Sequence, residues 1–437
     1  MTIRPSTALL TDHYELTMLQ AALHSGAASR QCVFETFARR LPQGRRYGVA
    51  AGTGRVLDAI EDFRFGDAEL SDLRERAVVD ERTLDFLADY RFEGDVWGYA
   101  EGETYFPYSP VLVVESDFAH GVLLETVILS ILNHDTAVAS AASRMTGASG
   151  SRPVIEMGSR RTHDEAAVAA ARAAYIAGFA STSNLEAGRR YGVPTGGTAA
   201  HAFTLLHESE REAFEAQVAS LGTGTTLLVD TYDVTEGVST AIEVAGTSLG
   251  GVRLDSGDLV VQASEVREQL DALGATETRI VVTSDLDEYA IAALAAAPVD
   301  TYGVGTRVVT GSGHPTASMV YKLVAREDDD GRMVGVAKQS KDKISIGGRK
   351  YALRRRNAIG VVEAEVLGIG EQPVSDGDDR DLLVPLVAGG EIVGREHCTL
   401  RAARARHEAS MAELPRSAHQ LSEGRPAVDT VFLTETP

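Results

Sequence analysis

Apolar and polar residues alternate along the middle of the chain in a pattern typical of strands joined by helices. From Val154 onward, short apolar runs are separated by Ala-rich segments in which apolar residues recur at helical spacing. The predicted strands are Val154–Glu156, Ala177–Ser181, Thr226–Asp230, Gly251–Asp255, Ile280–Asp285 and Thr301–Val304. The predicted helices are Asp164–Ile176, Glu208–Ser220, Val238–Val244, Leu259–Leu273 and Leu286–Ala297, the last with a capping box of Asp285 and Glu288. This alternation indicates βαβ units and a parallel sheet.

Several of these runs end in an acid or a hydroxyl residue, among them Glu156, Asp230, Asp255 and Ser284. In a (β/α)8 barrel the chemistry lies at the carboxyl ends of the strands. An open, doubly wound sheet is the competing architecture. Because acids recur at several strand ends and no G-x-G-x-x-G follows a first strand, we favour a compact or incomplete α/β barrel.

The two ends of the chain have a different pattern. Residues 1–130 mix short helices with strand-like pieces, and residues 326–437 carry short β-like pieces followed by a helical tail at His397–Ala412. The C-terminal part lacks an obvious core of its own, so we expect it to pack back on the N-terminal part. We predict an N-terminal α/β domain (1–130), a barrel domain (131–325) and a C-terminal segment (326–437).

Composition and charge exclude several classes of protein. Apolar residues make up 44% and charged residues 24% of the 437 residues, as in globular proteins. The net charge of −21 argues against general binding to nucleic acid or anionic membranes. Two cysteines cannot build a disulfide framework in a chain of this length, and no run predicts a membrane span. We expect a soluble, cytoplasmic protein whose anionic ligands are held by local basic clusters.

The stretch from Gly251 to Asp258 is the most informative candidate site. Alternation places Arg253 and Asp255 on one face of the strand, and Ser-Gly-Asp258 then opens a helix. A cation and an acid beside a glycine turn suit a sugar-phosphate ligand. The alternative is a helix cap at Asp258 with a structural Arg253–Asp255 ion pair.

Two glycine-containing turns add candidate chemistry. The loop Gly303-Val-Gly-Thr306 follows a strand and can direct backbone N–H groups at a phosphate, although such a turn is also common without a ligand. The turn from Pro194 leads through Thr198 into a helix with His201 near its start. A neutral imidazole is a nucleophile in many enzymes, and neighbouring strand-end acids fix its tautomer. A lone histidine is otherwise most often an ordinary core or surface residue.

Two groups of cations could hold anions. The motif Glu156-Met-Gly-Ser-Arg-Arg161 places two arginines just past a strand end, where one can clamp a carboxylate or phosphate. Eight cations lie between Lys338 and Arg356, opposed only by Asp342. That basic segment is either an exposed hairpin or an anion site. On the second interpretation the segment holds a polyphosphate.

With these residues in view, the chain resembles the nicotinate phosphoribosyltransferases over nearly its whole length. The stretches that carry the resemblance are Thr11-Asp-His-Tyr-Glu-Leu-Thr-Met18, Phe34-Glu-Thr-Phe37, Glu156-Met-Gly-Ser-Arg-Arg161, Thr182-Ser-Asn184, Gly197-Thr-Ala-Ala-His201, Leu228-Val-Asp-Thr-Tyr-Asp233, Arg253-Leu-Asp-Ser-Gly-Asp258 and Gly303-Val-Gly-Thr306. The resemblance implies a type II phosphoribosyltransferase fold, an irregular α/β barrel with an additional α/β (α+β) domain built from both termini. It also implies a homodimer with active sites at the interface.

The activity implied by the resemblance couples nicotinate and 5-phosphoribosyl 1-pyrophosphate to nicotinate mononucleotide and pyrophosphate in NAD salvage. ATP is the implied cosubstrate, acting through a phosphohistidine, and Mg²⁺ the implied cofactor, with no residue of this chain assigned as a metal ligand. The implied catalytic residues are His201, which is phosphorylated, Arg253 and Asp255. The implied nicotinate contacts are Tyr14, Met157, Arg160, Ser183, Thr198 and Arg253, and the implied phosphoribosyl and phosphate contacts are Asp255, Ser284, Gly303, Gly305 and Thr306. In the basic segment we predict that Lys338, Lys341 and Lys350 contact pyrophosphate.

Met157 stands where most family members have a Phe that sandwiches the pyridine ring against the Tyr; a Met still offers a polarisable face. Ser183 with Asn184 occupies the region where an amide substrate would favour an acid, which favours a carboxylate substrate. A nicotinamide- or quinolinate-using phosphoribosyltransferase and a non-catalytic anion-binding barrel are the alternatives. The expected partners are small-molecule substrates, with neither nucleic acid nor membrane.

Overall fold

The structure is a computed structural model that describes residues 5–338 and 346–433. Its strands are β1 (Gln31–Ala38), β2 (Gly48–Val49), β3 (Gly94–Tyr99), β4 (Thr104–Tyr105), β5 (Leu112–Asp117), β6 (Val154–Glu156), β7 (Ser181–Thr182), β8 (Thr226–Leu228), β9 (Gly251–Leu254), β10 (Arg279–Ser284), β11 (Thr301–Val304), β12 (Met319–Glu327), β13 (Met333–Gly335), β14 (Lys350–Arg356), β15 (Val362–Ile369), β16 (Arg380–Asp381), β17 (Leu383–Ala388), β18 (Glu391–Ile392) and β19 (Asp429–Leu433).

The helices alternate with these strands most regularly in the middle of the chain. They are α1 (His13–Ser25), α2 (Thr53–Glu61), α3 (Asp67–Glu75), α4 (Glu81–Ala88), α5 (Phe118–Val122), α6 (Glu125–Ser149), α7 (Asp164–Ile176), α8 (Leu185–Tyr191), α9 (His201–Leu206), α10 (Glu210–Leu221), α11 (Val234–Ala245), α12 (Leu259–Ala272), α13 (Glu288–Ala293), α14 (Thr306–Val309) and α15 (Leu400–Glu413). Across the described ranges, none of them has the length and apolar character that a membrane span requires.

The described residues group into two compact units. Those within Met1–Ser140 and Thr316–Pro437 form unit 1, and Ala141–Pro315 form unit 2. The domain limits that the sequence predicts, after 130 and after 325, fall inside α6 and β12. The units of the structure therefore divide the chain at different residues.

Unit 2 is a parallel α/β unit, as the strand–helix alternation predicts. Its six-stranded sheet has the order β7-β6-β11-β10-β9-β8, and every neighbouring pair is parallel. Read from β8, the order runs through β11 to β6 and β7, which is the cyclic order of a barrel. No pairing joins β7 to β8 within the described residues. The mixed α/β class is confirmed, and closure into a barrel stays a prediction.

Most predicted elements of unit 2 are present, with differences at their ends. Strand β11 and helix α7 have the predicted limits. Asp258 caps α12, its carboxylate accepting from the N–H of Val261, as one interpretation of that motif predicts. The capping box at Asp285 is wrong: α13 is capped by Asp287, which accepts from two backbone N–H groups. Glu288 is instead buried in an ion pair with Arg144.

Unit 1 is antiparallel and is built from both ends of the chain. Its largest sheet has the order β13-β12-β1-β5-β3-β17-β18, and β12 pairs with β1 from Cys32 to Ala38. A second sheet has the order β16-β14-β15-β19. The rings of Phe34 on β1 and Tyr321 on β12 stack with centroids 5.0 Å apart and join the main apolar core. Long-range pairing therefore carries much of this unit.

The basic segment is neutralised inside unit 1 where the structure describes it. The ion pairs are Arg349–Glu115 (3.0 Å), Lys350–Glu35 (2.9 Å), Arg354–Glu103 (3.1 Å), Arg354–Glu365 (2.9 Å), Arg355–Asp379 (3.2 Å) and Arg356–Glu413 (3.3 Å). Lys338 is exposed, and Lys341 lies outside the described residues. These cations on and beside β14 are thus matched by acids, which neither interpretation of the segment anticipates.

Lys350 has a structural role in this arrangement. Its side chain is almost fully buried, and its ammonium donates to the Glu35 carboxylate and to the carbonyls of Ile346 and Gly348. An ammonium has three donors, and all three are used. The predicted contact of Lys350 with pyrophosphate would require breaking this set, so we leave the residue out of the proposed phosphate site.

Candidate functional site

A pocket of about 310 Å³ lies at the carboxyl ends of the parallel strands of unit 2. We call it the strand-end pocket. It is lined by Met157, Arg160, Arg161, Arg253, Asp255, Thr283, Ser284, Asp285, Gly303, Gly305 and Thr306. Because parallel strands end on the same edge of a sheet, side chains distant in sequence meet there. Eight of the predicted site residues are in this set, and three cations among the lining residues give it an affinity for anions.

Glycines allow the backbone to approach closely around this pocket. A Cβ on Gly303 would lie 2.5 Å from a methyl of Thr283 and 2.8 Å from the sulfur of Met157. A Cβ on Gly158 would lie 2.2 Å from a methyl of Val309. Gly305 precedes the short helix α14 and leaves backbone near Thr306 accessible. The glycine loop therefore forms one wall, with Met157 packed against it.

Arg253 is held at the end of β9 by polar contacts on one side only. Its Nη1 donates to the hydroxyl of Thr198 (3.0 Å) and to the carbonyl of Ala199 (3.1 Å). Its Nε is buried and has no hydrogen-bond partner among the described groups. Burial lowers the pKa of the guanidinium, and the nearby Asp255 and Asp230 carboxylates oppose that shift. Among the described residues, Arg253 forms no ion pair with Asp255, so the guanidinium retains capacity for an anion.

Asp255 and Asp230 are joined at neighbouring strand ends. The N–H of Asp255 donates to Oδ2 of Asp230 (2.8 Å), and the hydroxyl of Thr283 donates to the Asp255 carboxylate. Asp230 is almost fully buried, and its Oδ1 has no hydrogen-bond partner among the described residues. The sequence marks Asp230 as a strand-end acid but does not assign it to the site. An unpartnered buried carboxylate oxygen indicates that this atom serves a ligand or a charged group.

His201 lies between these acids at the start of α9. Its Nε2 is 3.8 Å from Oδ1 of Asp230 and 3.9 Å from Oδ2 of Asp255. Its Nδ1 is 3.1 Å from the hydroxyl of Thr231, and 40% of the side chain is exposed. The structure thus brings His201 to Asp255 and the strand-end pocket, with one ring nitrogen facing carboxylates and the other a hydroxyl.

Ser183 and Arg160 lie on adjoining loops. The N–H of Ser183 donates to the carbonyl of Glu156 (2.8 Å), and the N–H of Met157 donates to the carbonyl of Val304 (2.8 Å). Arg160 is exposed and lines the pocket. The main chain therefore ties both predicted anion contacts to the ends of β6 and β11.

The remaining predicted site residues belong to unit 1. Tyr14 lies on α1 with 45% of its surface exposed. Partial burial and the neighbouring Glu125 carboxylate raise the pKa of Tyr14 to about 12, so its hydroxyl stays protonated at neutral pH. Lys338 is also exposed. Both side chains are accessible to a ligand or a second chain.

A parallel α/β unit with an arginine-lined pocket, a glycine loop and a histidine beside two acids at its strand ends is typical of an enzyme for small anionic substrates. Residues 9–133 match the family model described as the N-terminal domain of nicotinate phosphoribosyltransferase. The chain is 58% identical over 431 residues to nicotinate phosphoribosyltransferase pncB1 of Mycobacterium tuberculosis, covering 97% of this chain and 94% of that protein. It is 30% identical to the human nicotinate phosphoribosyltransferase, covering 91% and 84%.

Solved structures agree with these relatives. The crystal structure of the human nicotinic acid phosphoribosyltransferase superposes with a TM-score of 0.82 at 26% identity, covering 97% of both chains. The nicotinate-nucleotide pyrophosphorylase of Pyrococcus furiosus shares the fold with a TM-score of 0.76 at 24% identity, covering 93% and 95%. The chain therefore belongs to the nicotinate phosphoribosyltransferase family and is an enzyme of NAD biosynthesis.

Proposed function

We propose that the enzyme transfers the phosphoribosyl group of 5-phosphoribosyl 1-pyrophosphate to nicotinate, with ATP hydrolysis through a phosphohistidine at His201. The observation that carries this proposal is the position of His201 between the carboxylates of Asp230 and Asp255, next to a cationic pocket. A pocket of this kind accommodates two anionic substrates in a chain of net charge −21.

The substrates are assigned to the pocket by charge. Arg253, with its free Nε, and Arg160 suit the nicotinate carboxylate, with Thr198 and Ser183 beside them. Met157 offers one face to the pyridine ring, and Tyr14 is assigned to the other face. The glycine loop with Gly303, Gly305, Thr306 and Ser284 suits the 5-phosphate, Asp255 the ribose, and Lys338 the pyrophosphate. Lys341 keeps that predicted role but lies outside the described residues.

In the transfer step, the pyridine nitrogen of nicotinate forms a bond to C1 of the ribose. The C1–oxygen bond to pyrophosphate breaks, and its electron pair leaves with pyrophosphate. Positive charge develops on the ribose ring and negative charge on the leaving group. Asp255 stabilises the first, and the cations around the pocket stabilise the second, so catalysis is chiefly positioning and charge neutralisation.

The geometry also favours one nitrogen of His201 as the phosphoryl acceptor. Two carboxylates beside Nε2 favour the tautomer with its proton on Nε2, which leaves the lone pair on Nδ1. Nδ1 attacks the γ-phosphorus of ATP, the bond to the bridging oxygen breaks and ADP leaves. Asp230 and Asp255 stabilise the charged imidazole that forms, as an orienting acid does in other nucleophile–histidine sites. Water later hydrolyses the phosphohistidine.

The residues present fit Mg²⁺ brought by a phosphate substrate. No cluster of three or more His, Cys, Asp or Glu side chains with ligand geometry occurs in the described ranges. Mg²⁺ commonly takes one or two carboxylates together with substrate phosphates. Asp255 and the unpartnered Oδ1 of Asp230 are the groups that would hold it. When bound, the ion would neutralise phosphate charge.

We further propose a homodimer in which Tyr14 completes the site of the other chain. Leu10, Tyr14 and Met18, four residues apart along α1 and its approach, are 61%, 45% and 36% exposed. Such an apolar stripe favours a partner surface. Tyr14→Ala chains and His201→Ala chains should each lack ATP-stimulated transfer, and mixing them should restore that activity in heterodimers. No restoration after verified subunit exchange would refute the shared site.

Two further assignments concern the fold of unit 2 and the location of the protein in the cell. We propose that unit 2 is an irregular barrel interrupted between β7 and β8, because its strand order is cyclic. We propose a cytoplasmic location, because a chain of this length with only two cysteines is typical of proteins of a reducing compartment.

The proposed reaction is tested by measuring pyrophosphate release from 5-phosphoribosyl 1-pyrophosphate with nicotinate, nicotinamide or quinolinate, each with and without ATP. We expect release with nicotinate, increased by ATP. In His201→Asn, acid-labile, base-stable labelling from γ-labelled ATP should disappear while a slow ATP-independent transfer remains. Undiminished labelling in this variant would refute His201 as the phosphoryl carrier, and preference for nicotinamide would refute the substrate.

A further inference from the structure

We propose that Glu156 is a positioning residue for nicotinate: its buried carboxylate fastens the loop of Met157 and Arg160 to the loop of Ser183. This inference rests on the proposed function, which assigns those three residues to nicotinate. Glu156 itself lines no part of the strand-end pocket. It therefore acts through its neighbours rather than on the substrate.

The carboxylate joins two loops through its two oxygens. Glu156 ends strand β6 and is fully buried. Its Oε1 accepts from the N–H of Gly158 (2.5 Å), and its Oε2 accepts from the hydroxyl of Thr182 (2.5 Å). The first bond holds the loop that carries Met157 and Arg160, and the second holds the residue before Ser183.

Further hydrogen bonds close this link into a ring. The Thr182 hydroxyl accepts from the N–H of Asn184 (3.0 Å), and the Asn184 amide donates to the hydroxyl of Ser159 (3.0 Å). Ser159 lies in the loop that Gly158 begins, so the ring returns to its starting point. The two loops therefore share one hydrogen-bonded ring.

The backbone of Thr182 extends the link toward the turn that carries Thr198. Its N–H donates to the carbonyl of Pro194 (2.9 Å), and its carbonyl accepts from the N–H of Gly196 (3.0 Å). The Glu156 carboxylate therefore stands at the centre of three segments proposed to contact nicotinate. A single group sets their spacing.

Among the described residues, Glu156 is one of the buried acids without a cation beside it. Glu35, Glu103 and Glu288 are paired with Lys350, Arg354 and Arg144, whereas Glu156, like Glu15, is held by hydrogen bonds alone. For Glu156, burial raises the pKa, and only the hydrogen bonds from Thr182 and Gly158 oppose that shift. A buried carboxylate without a cation lowers stability when ionised. The hydrogen bonds that it makes to two loops offset part of this cost.

The pH dependence of stability distinguishes a positioning role of Glu156 from a purely structural role. Because the folded-state pKa is raised, Glu156 contributes stability at low pH that is lost as pH rises through that pKa. A Gln does not ionise, so its contribution does not fall with pH. The stability of Glu156→Gln relative to the parent enzyme should therefore increase as the pH rises. A Gln replaces one carboxylate oxygen by an NH2 group, so one of the two bonds is lost or reversed in direction, and the remaining bond loses the charge of the carboxylate. The site should therefore loosen without a matching loss of stability.

The experiment compares Glu156→Gln, Thr182→Val, their combination, and Thr182→Ser as the control that keeps the hydroxyl. Thermal unfolding, steady-state kinetics for both substrates and calorimetric binding of nicotinate are measured on the full chain. We expect Glu156→Gln and Thr182→Val each to raise KM for nicotinate roughly tenfold, the range for losing a hydrogen bond to a charged group. KM for 5-phosphoribosyl 1-pyrophosphate should change less than about twofold, and Tm of Glu156→Gln should not fall at neutral pH.

The remaining outcomes are decisive in either direction. A combined variant no worse than the single variants, with Thr182→Ser close to the parent enzyme, supports one shared link. Equal increases in KM for both substrates, together with a lower Tm, would assign Glu156 a structural role and overturn the proposal. Unchanged nicotinate binding in an active enzyme would overturn the positioning role alone. Failure of the parent enzyme to use nicotinate would overturn the proposed function and this inference with it.

Discussion

Replacing Lys350 by Met should destabilise unit 1 while leaving the substrate site intact. The substitution keeps a side chain of similar length but removes the cation, which leaves the Glu35 carboxylate buried and unpaired. The carbonyls of Ile346 and Gly348 also lose their donor. Breaking one partner of a buried ion pair costs about 3–5 kcal/mol. With a urea m-value of ~3 kcal/mol/M, the unfolding midpoint should fall by about 1–1.7 M.

The chain has a built-in probe for this measurement. Its one tryptophan, Trp97, lies on β3 of unit 1, and the Arg349 guanidinium sits 5.8 Å from its ring. Tryptophan fluorescence during urea unfolding therefore reports on the unit that contains Lys350. Combining Lys350→Met with Glu35→Gln removes the unpaired charge and should recover much of the loss. Lys338→Met, an exposed lysine of the same segment, is the matched control and should change stability by less than ~0.5 kcal/mol.

The same variants separate a structural from a ligand-binding role for Lys350. If Lys350 serves unit 1 alone, binding of 5-phosphoribosyl 1-pyrophosphate to folded Lys350→Met enzyme stays within about twofold of the parent, well under 1.4 kcal/mol. A midpoint that does not move, together with at least tenfold weaker binding, would refute the reasoning. It would return Lys350 to the pyrophosphate site.

Three other predictions concern Glu15 on α1, Gly158 beside the strand-end pocket and Thr231 beside His201. Burial raises the pKa of Glu15 to about 7, and the Glu125 and Asp12 carboxylates add to the shift. The contribution of Glu15 to the free energy of unfolding should therefore be complete below about pH 4.5 and lost as the pH rises through 7. In urea unfolding, the stability of Glu15→Gln should fall less with pH than that of the parent enzyme. Gly158→Ala places a methyl group 2.2 Å from Val309, and the overpacking should lower the free energy of unfolding by about 1–3 kcal/mol. The variant should also bind nicotinate more weakly. Unchanged stability in thermal unfolding would contradict the tight contact. Thr231→Val removes the hydroxyl beside Nδ1 of His201 and should slow phosphohistidine formation about tenfold. Thr231→Ser keeps the hydroxyl and should form phosphohistidine at the parent rate. Equal rates of labelling from ATP in the two variants would show that the hydroxyl is not used.

Local sequence signals predict much of unit 2 and part of its site. Apolar runs and Ala-rich segments set the limits of β11 and α7, and the acids at run ends converge because parallel strands end on one edge. Asp285 illustrates the limit of such signals. It has the spacing of a capping residue, yet Asp287 caps the helix because Glu288 turns into the interior to meet Arg144.

Unit 1 could not be derived in the same way because its contacts join distant parts of the chain. The cations of the basic segment look unopposed in sequence, since their acids lie far away: Lys350 meets Glu35, and Arg354 meets Glu103. Asp230 was visible as a strand-end acid, but its role depends on where the His201 ring lies. Such pairings become apparent only once the sheets are assembled.

The division of unit 1 between the two ends of the chain also sets an order for its folding during synthesis. Strand β1 ends at Ala38, and its partner β12 begins at Met319. At about 5–20 residues per second, the intervening ~280 residues take roughly 14–56 s to emerge from the ribosome. Unit 2 is continuous and can fold within that interval, whereas one edge of β1 waits without its partner. That open edge is a site for mispairing with other chains, so newly made protein should depend on chaperones until β12 has been made.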